Sequence, residues 1–252
     1  MAWWARRPVG RAKRHARGAT RGICHDGSRE ADNAQRDAAM NRSRECFIDN
    51  RFLQLALGCY VVFWNALAIR PLDRSDWFLE NLLVFAAASV LIPTYRRFQL
   101  SNLSYALILV FLAFHAVGAH YTYAKVPAGF WLMDWLHLKR NHYDRVIHFA
   151  FGLLLLYPVR ELLIRSAGAK RSWAPWLAAA VLWALSSFFE ILEAIIAQIV
   201  RPDLGTAYLG TQGDIWDAQK DMAAAFIGAM IVALWLMLRQ RHTKPWSKAA
   251  FV

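Results

Sequence analysis

Carboxylates and a histidine stand at helical spacing in the second half of the chain. Residues three, four or seven apart in a helix share one face. This spacing relates the members of three groups: Asp144 with His148, Glu190 with Glu193, and Asp214 with Asp217 and Asp221. Carboxylates on facing helices, with a histidine nearby, form the arrangement that binds hard or borderline metals. The same groups can form a proton relay or a general acid–base pair.

These residues stand within or beside long apolar segments, where an ionisable side chain is costly and by default indicates function. A helix that crosses a bilayer needs about 20 mostly apolar residues. Six segments meet that requirement: Phe52–Ile69, Trp77–Pro93, Leu103–Tyr123, Tyr143–Arg165, Trp173–Val200 and Asp217–Arg239. The sequence therefore predicts an all-α fold, a polytopic transmembrane helical bundle of about six spans.

Composition and charge favour a membrane protein over a nucleic-acid-binding one. The chain is 57% hydrophobic yet carries a net charge of +12, and twelve of its 30 lysines and arginines fall in residues 1–51. Most of the others stand between apolar runs, as the positive-inside rule requires. We therefore predict cytoplasmic termini, outer loops over residues 70–76, 124–142 and 201–213, a polar cluster in the outer leaflet, and no nucleic-acid partner.

The N-terminal segment differs from the rest of the chain. Residues 1–45 are basic and lack apolar periodicity, which predicts a disordered arm before a transmembrane domain over 46–240. Residues 241–252 are expected to form a short basic cytoplasmic tail. Met40 precedes an ordinary basic lead-in, which suggests the hypothesis that translation starts there. The cysteines lack metal or disulfide spacing and are expected to be free thiols: Cys24, Cys46 and Cys59.

The candidate functional residues fall into three sets. The polar centre, catalytic or binding, consists of His148, Glu190, Glu193, Asp217 and Asp221, with Asp144 orienting His148. If the centre holds a divalent cation, the expected ligands are His148, Glu190, Glu193 and Asp217. Contacts with a substrate are expected from His120, Lys125, Asn141, His142, Gln212 and Asp214.

Simpler interpretations of these residues remain open. His115, in the third predicted span, can be a hydrogen-bonded packing residue. Asp144 and Arg145 can cap and anchor the fourth span at the headgroups. Asp214 can cap the sixth span. Segment 210–214 can present backbone N–H groups to an anion or can simply form a turn.

Four stretches of the chain carry a resemblance to a known family. They are residues 120–127, 140–145, 190–193 and 210–222, and they resemble the YjdF-like family of bacterial multi-pass inner-membrane proteins. The resemblance covers roughly residues 45–240. It implies the class and location of the protein and no particular reaction, because the family has no assigned activity.

A second pattern is similar to that of VanZ-like proteins, which are linked with glycopeptide resistance. It consists of Asp144–Phe149, then a helix that ends with Glu193, then a last helix that holds Gly228. That last helix lacks the usual Asn-x-x-Gly and has Asp221 nearby instead. This departure puts any transfer of a VanZ role in doubt.

Three functions are consistent with the sequence. The first is a membrane-embedded enzyme or binding site for a lipid-linked or phosphate-bearing envelope molecule, with membrane lipid as partner. The second is a proton- or cation-coupled transporter, which predicts polar groups at several depths; Glu161 is the main one expected near the inner face. The third is a structural or accessory membrane protein. The sequence predicts no oligomeric state.

Overall fold

The computed structural model describes residues 47–200, 202–209 and 211–242. Met40, Cys24, Cys46, the predicted arm over 1–45 and the tail beyond residue 242 lie outside the described residues. The described chain belongs to one compact unit and contains eight α-helices and no strand. The helices are α1 (Arg51–Ala68), α2 (Arg74–Thr94), α3 (Asn102–Tyr121), α4 (Pro127–Leu136), α5 (Tyr143–Ser166), α6 (Ala174–Ile199), α7 (Pro202–Leu209) and α8 (Asp217–His242).

The six predicted spans are confirmed as helices. Within the described ranges, six helices are long and apolar enough to cross a membrane, namely α1, α2, α3, α5, α6 and α8. Two predicted outer loops, Ala124–His142 and Arg201–Gly213, were wrong in part because they contain α4 and α7. Helices of ten and eight residues are too short to stand out by pattern, since packing rather than propensity stabilises them.

Helices α5, α6 and α8 form the centre of the bundle, and each packs against the other two. Lipid chains are as apolar as leucine, so helices in a bilayer associate through close packing rather than through the hydrophobic effect. Small residues provide that close packing in α8, where Ala225, Ala229 and Ala233 form a fully buried stripe. Helix α3 joins this centre to α1 and α2.

The backbones of α5 and α8 touch at two glycines. A Cβ atom on Gly152 would overlap the carbonyl oxygen of Ala225, and one on Gly228 would overlap the carbonyl oxygen of Phe149. Only glycine fits at such a reciprocal close approach. Gly152 lies one turn beyond His148 on α5, so this contact places the first turns of α5 and α8 side by side.

Helix α2 begins three residues earlier than the predicted span. Asp73 caps it, because its carboxylate accepts hydrogen bonds from the backbone N–H groups of Ser75 and Asp76 at 2.7 and 3.0 Å. The predicted outer loop Arg70–Asp76 therefore ends sooner than expected. Asp76 belongs to the first helical turn and is only 1% exposed.

Candidate functional site

Three aspartates from the first turns of α5 and α8 converge. Asp144, Asp217 and Asp221 each offer a carboxylate oxygen, and the three oxygens lie within 4.8 Å of one another. Asp217 and Asp221 are 4% and 1% exposed, and Asp144 is half-buried. Their spacing on each helix directs them to the α5–α8 contact, where the glycines bring the two backbones together. We call these three residues the aspartate cluster.

Arg140 holds one side of the aspartate cluster. It stands just before α5, and its guanidinium donates to both carboxylate oxygens of Asp217, at 2.7 and 3.0 Å. A third hydrogen bond runs from the same guanidinium to the backbone carbonyl of Thr211 at 2.7 Å. Such a two-pronged pair is strong and fixed in direction. Arg140 therefore ties the loop before α5 to the start of α8.

Arg145 also faces the carboxylates, which does not favour the alternative interpretation that it anchors the span at the headgroups. Its guanidinium donates to Asp217 at 2.6 Å and to Asp221 at 3.3 Å, and it lies 3.5 Å from Asp214. A cation in a low-dielectric interior gains more from carboxylates than from snorkelling to the interface. Arg145 and Arg140 are site residues that the sequence analysis missed.

His148 lies between carboxylates from two helices. Its Nε2 is 3.2 Å from Glu190 on α6 and 3.7 Å from Asp144 one turn earlier on α5. Its Nδ1 is 3.3 Å from the hydroxyl of Ser186. One ring nitrogen therefore faces acids and the other faces a hydroxyl group. His148 can exchange a proton with either carboxylate.

Glu190 and Glu193 bring α6 into the site, as their spacing predicted. Glu193 is 8% exposed, and its carboxyl group lies within hydrogen-bonding reach of Glu190. Asp144 interacts electrostatically with both. Like charges at this separation and burial repel strongly unless a proton or a cation is bound between them.

The site holds more negative than positive groups. Five carboxyl groups face two guanidinium groups and one imidazole, and the guanidinium groups are both directed to Asp217 or its neighbours. The five are Asp144, Glu190, Glu193, Asp217 and Asp221. Carboxylates in excess of their partners cannot stay ionised in an apolar interior. The arrangement therefore favours uptake of cations or protons.

Asn141 and Gln212 join two loops at the edge of the site. The Gln212 side chain accepts from the backbone N–H of Asn141 at 3.1 Å and donates to its carbonyl at 2.8 Å. The Asn141 side chain donates to Val126 and accepts from the Tyr143 N–H. These hydrogen bonds hold the two loops in position relative to each other. The substrate contacts expected of Asn141 and Gln212 stay predictions.

Asp214 and His142 lie at the rim of the site, outside the spanning helices. Asp214 accepts from Lys220 at 2.6 Å and from the backbone N–H of Trp216 at 3.1 Å, so it caps the turn before α8. The Lys220 hydrogen bond lowers the pKa of Asp214 to about 2. His142 lies 3.1 Å from Arg145, and burial together with that charge lowers its pKa.

Two expected substrate contacts lie apart from the aspartate cluster. His120 bonds to the carbonyl of Leu67 on α1 at 2.7 Å, and Lys125 is exposed. The hydrogen-bonded role expected of His115 is confirmed: the Tyr123 hydroxyl contacts its Nδ1 at 2.5 Å, and its Nε2 contacts the carbonyl of Glu80 at 3.1 Å.

A second pair of buried acids was not predicted. Asp76 and Glu80 on α2 are 1% and 4% exposed. Burial and the carboxylates of Glu80, Glu193, Asp76 and Glu190 raise the pKa of Tyr208 on α7. Tyr208 therefore interacts electrostatically with the acids of α2 and α6, and α7 contacts both of those helices. The i,i+4 spacing of the α2 pair was visible in the sequence, but Asp76 had been assigned to a loop.

Comparisons with known proteins agree with this architecture. The family described as "Predicted membrane protein (DUF2238)" matches residues 52–242. Inner membrane protein YjdF of Escherichia coli (strain K12) is 38% identical over 167 residues, which is 65% of this chain and 78% of that protein. No solved structure is significantly similar to the chain. The VanZ-like resemblance stays a prediction. The chain is therefore a multi-pass inner-membrane protein and belongs to the DUF2238 family, which includes YjdF.

Proposed function

We propose that this protein provides a membrane-embedded binding site in which a divalent cation, held by the aspartate cluster, recruits a phosphate-bearing lipid. The observation that carries the proposal is the convergence of three carboxylate oxygens within 4.8 Å, from two helices whose backbones touch. The cofactor class is a hard divalent cation, and the partner is a membrane lipid or a lipid-linked envelope molecule.

The chemistry of the ligands favours a hard cation. Carboxylate oxygens suit Mg²⁺, Ca²⁺ and Mn²⁺, and a nearby imidazole is compatible with Mn²⁺ or Zn²⁺. The expected ligand set included His148, Glu190, Glu193 and Asp217. The geometry favours a different first set, Asp144, Asp217 and Asp221, with His148 and Glu190 adjacent.

An incompletely filled coordination shell favours a phosphate ligand. Mg²⁺ in proteins is usually bound by one or two carboxylates together with water and the phosphate oxygens of a substrate. Three single carboxylate oxygens leave positions of an octahedral shell for such oxygens. The site lies at the ends of three spanning helices, where lipid phosphates are the nearest source. Arg140 and Arg145 are adjacent cations that suit phosphate.

A hydrolytic reaction at this site would use His148 for proton transfer. It is placed beside Glu190 and Asp144 and is 8% exposed. We place catalysis second to binding, because an attacking group is not identified among the described residues.

The carrier alternative has less support at the other end of the bundle. A carrier needs ionisable groups that can bind and release ions at several depths. Glu161, the main acid there, is fully engaged: it accepts from the N–H and hydroxyl of Ser101 at 2.9 and 2.8 Å and pairs with Ser104 and Arg165. Those bonds cap the start of α3. This arrangement favours a one-sided binding site over a relay across the membrane.

The test uses the purified full-length protein and the Asp144→Asn variant. Asp144 is the safest carboxylate to neutralise, because its one ion pair among the described residues is with His148. Mn²⁺ binding is followed by paramagnetic resonance, with Asp134→Asn as the matched control because Asp134 is exposed on α4. We expect the wild type and the control to bind Mn²⁺, and Asp144→Asn to bind at least tenfold more weakly (roughly 1.4 kcal/mol).

A second step tests the lipid. The protein is placed in nanodiscs containing phosphatidic acid and phosphatidylcholine, and the lipid retained after detergent exchange is measured with and without Mn²⁺. Retention of phosphatidic acid that needs both Mn²⁺ and Asp144 supports the proposal. Equal Mn²⁺ affinity in wild type and Asp144→Asn refutes it, and a change in stability alone would favour the structural alternative.

A further inference from the structure

A second acidic site lies on α2, away from the aspartate cluster. Asp76 and Glu80 are one turn apart and share a face of the helix. Their position is fixed by the surrounding bonds: Asp73 caps the turn that holds Asp76, and the carbonyl of Glu80 accepts from His115 at 3.1 Å. These bonds fix the backbone of the turn that carries both side chains.

The Asp76 carboxylate has no partner in the described part of the chain. Both of its oxygens are buried and accept no hydrogen bond there. Lys125 interacts electrostatically with Asp76, but it forms no ion pair with it within the described ranges and its side chain is exposed. A buried polar group without a partner is rare in native proteins, and an ion or an ordered water is a common explanation. For a carboxylate, the compensating group must be a proton or a cation.

Acids and one tyrosine are the main electrostatic neighbours of this pair. Tyr208 on α7 is 6% exposed and interacts electrostatically with Asp76, Glu80 and the α6 glutamates. Burial first, and then those carboxylates, raise the pKa of Tyr208, so its hydroxyl group stays neutral. Helix α7 contacts both α2 and α6. The pair therefore interacts with a neutral hydroxyl and further acids, and the exposed Lys125 forms no ion pair with Asp76 within the described ranges.

We propose that Asp76 and Glu80 bind a second hard divalent cation, Mg²⁺ or Ca²⁺, at the contact between α2 and α7. Two carboxylates carry the charge that one divalent ion neutralises, and carboxylate ligands favour hard cations over softer ones. This site does not depend on the aspartate cluster. Its cation links α2 to α7, which in turn packs against α6.

Calorimetric titration of the full-length detergent-solubilised protein with Ca²⁺, and separately with Mg²⁺, tests the proposal. The variants are Asp76→Asn and Glu80→Gln, with Asp134→Asn as the exposed control and Asp144→Asn as the probe of the aspartate cluster. We expect either α2 variant to lose one equivalent of bound cation, or to bind it at least tenfold more weakly, while the control is unchanged. Two α2 variants are used so that misfolding of one leaves the test intact.

The variants separate this proposal from the previous one. Cation binding that is lost in Asp76→Asn and kept in Asp144→Asn supports the α2 site even if the aspartate cluster binds nothing. Binding that is unchanged in both α2 variants overturns it. An infrared measurement gives a second refuting result. If the wild type shows a protonated-carboxyl band with Ca²⁺ and Mg²⁺ added, and Asp76→Asn lacks that band, the pair holds a proton instead of a cation and the proposal is overturned.

Discussion

Replacing Asp217 by asparagine should destabilise this protein far more than an average polar substitution in a membrane helix. Asp217 is 4% exposed and is the acceptor that Arg140 and Arg145 share. Asparagine keeps the size of the side chain and one carbonyl oxygen, but it removes the charge. The substitution therefore leaves two guanidinium groups in a buried region with their principal counter-ion gone.

The structure sets the expected magnitude. Asp217 accepts three hydrogen bonds, at 2.7 and 3.0 Å from Arg140 and at 2.6 Å from Arg145. Removing one partner of a buried pair costs roughly 3–5 kcal/mol. Arg140 keeps the Thr211 carbonyl and Arg145 keeps Asp221, at 2.7 and 3.3 Å. These remaining acceptors place the expected loss near the lower end, at about 3 kcal/mol.

The assay is equilibrium unfolding of the purified protein in mixed micelles, without added cations. Glu190→Gln is the matched comparison, because it removes a charge from a carboxylate that has no guanidinium partner within the described ranges. Relief of repulsion among the acids should offset the bond lost to His148. We expect Glu190→Gln to change the free energy of unfolding by less than about 0.5 kcal/mol, or to raise it.

The refuting result is a similar, small loss for both variants. Polar contacts between membrane helices contribute about 0.6 kcal/mol on average. If Asp217→Asn lowers the free energy of unfolding by no more than that, the two arginines do not depend on Asp217, and the proposed pairing of charges in the site is wrong.

Three further predictions concern the frame around the site. Gly152→Ala forces apart two touching backbones and should lower the free energy of unfolding by about 1–3 kcal/mol. The control is Gly58→Ala, because a Cβ at Gly58 meets no atom within 4 Å, and it should be neutral or stabilising in the same unfolding assay. Tyr123→Phe removes the hydroxyl group at His115 Nδ1 and should lower the free energy of unfolding by about 1–3 kcal/mol. An unchanged free energy of unfolding would count against that hydrogen bond. His142 has a folded-state pKa below its unfolded value, so stability should fall as pH drops below about 6.5, and a thermal-unfolding series on His142→Gln should lack that loss.

The positions of the six spanning helices could be predicted because they depend on the length of each apolar segment. The observed spans begin and end within three residues of the predicted ones, since lipid imposes the same requirement on every span. The helices α4 and α7 could not be found this way. Each is too short to form an apolar run of the length that a span requires.

The site was predictable only in part. Helical spacing placed Asp144, His148 and the acids of α6 and α8 on inward faces, and the structure brings them together. The direction of a long side chain is not set by its own helix, so helical spacing alone did not identify Arg145, whose partners lie on α8, as a site residue. Asp76 was missed because its status depended on a cap three residues earlier.

The placement of the acids along each helix also affects how the protein enters the membrane. Asp144, Asp217 and Asp221 stand in the first one or two turns of their helices, and Glu193 stands about 9 Å from the end of α6. An acid at the centre of an inserting helix costs roughly 2.5–3.5 kcal/mol, and less toward the headgroups. Helices α5 and α8 can therefore insert singly with these aspartates near water, and the aspartates become buried only when α5, α6 and α8 assemble.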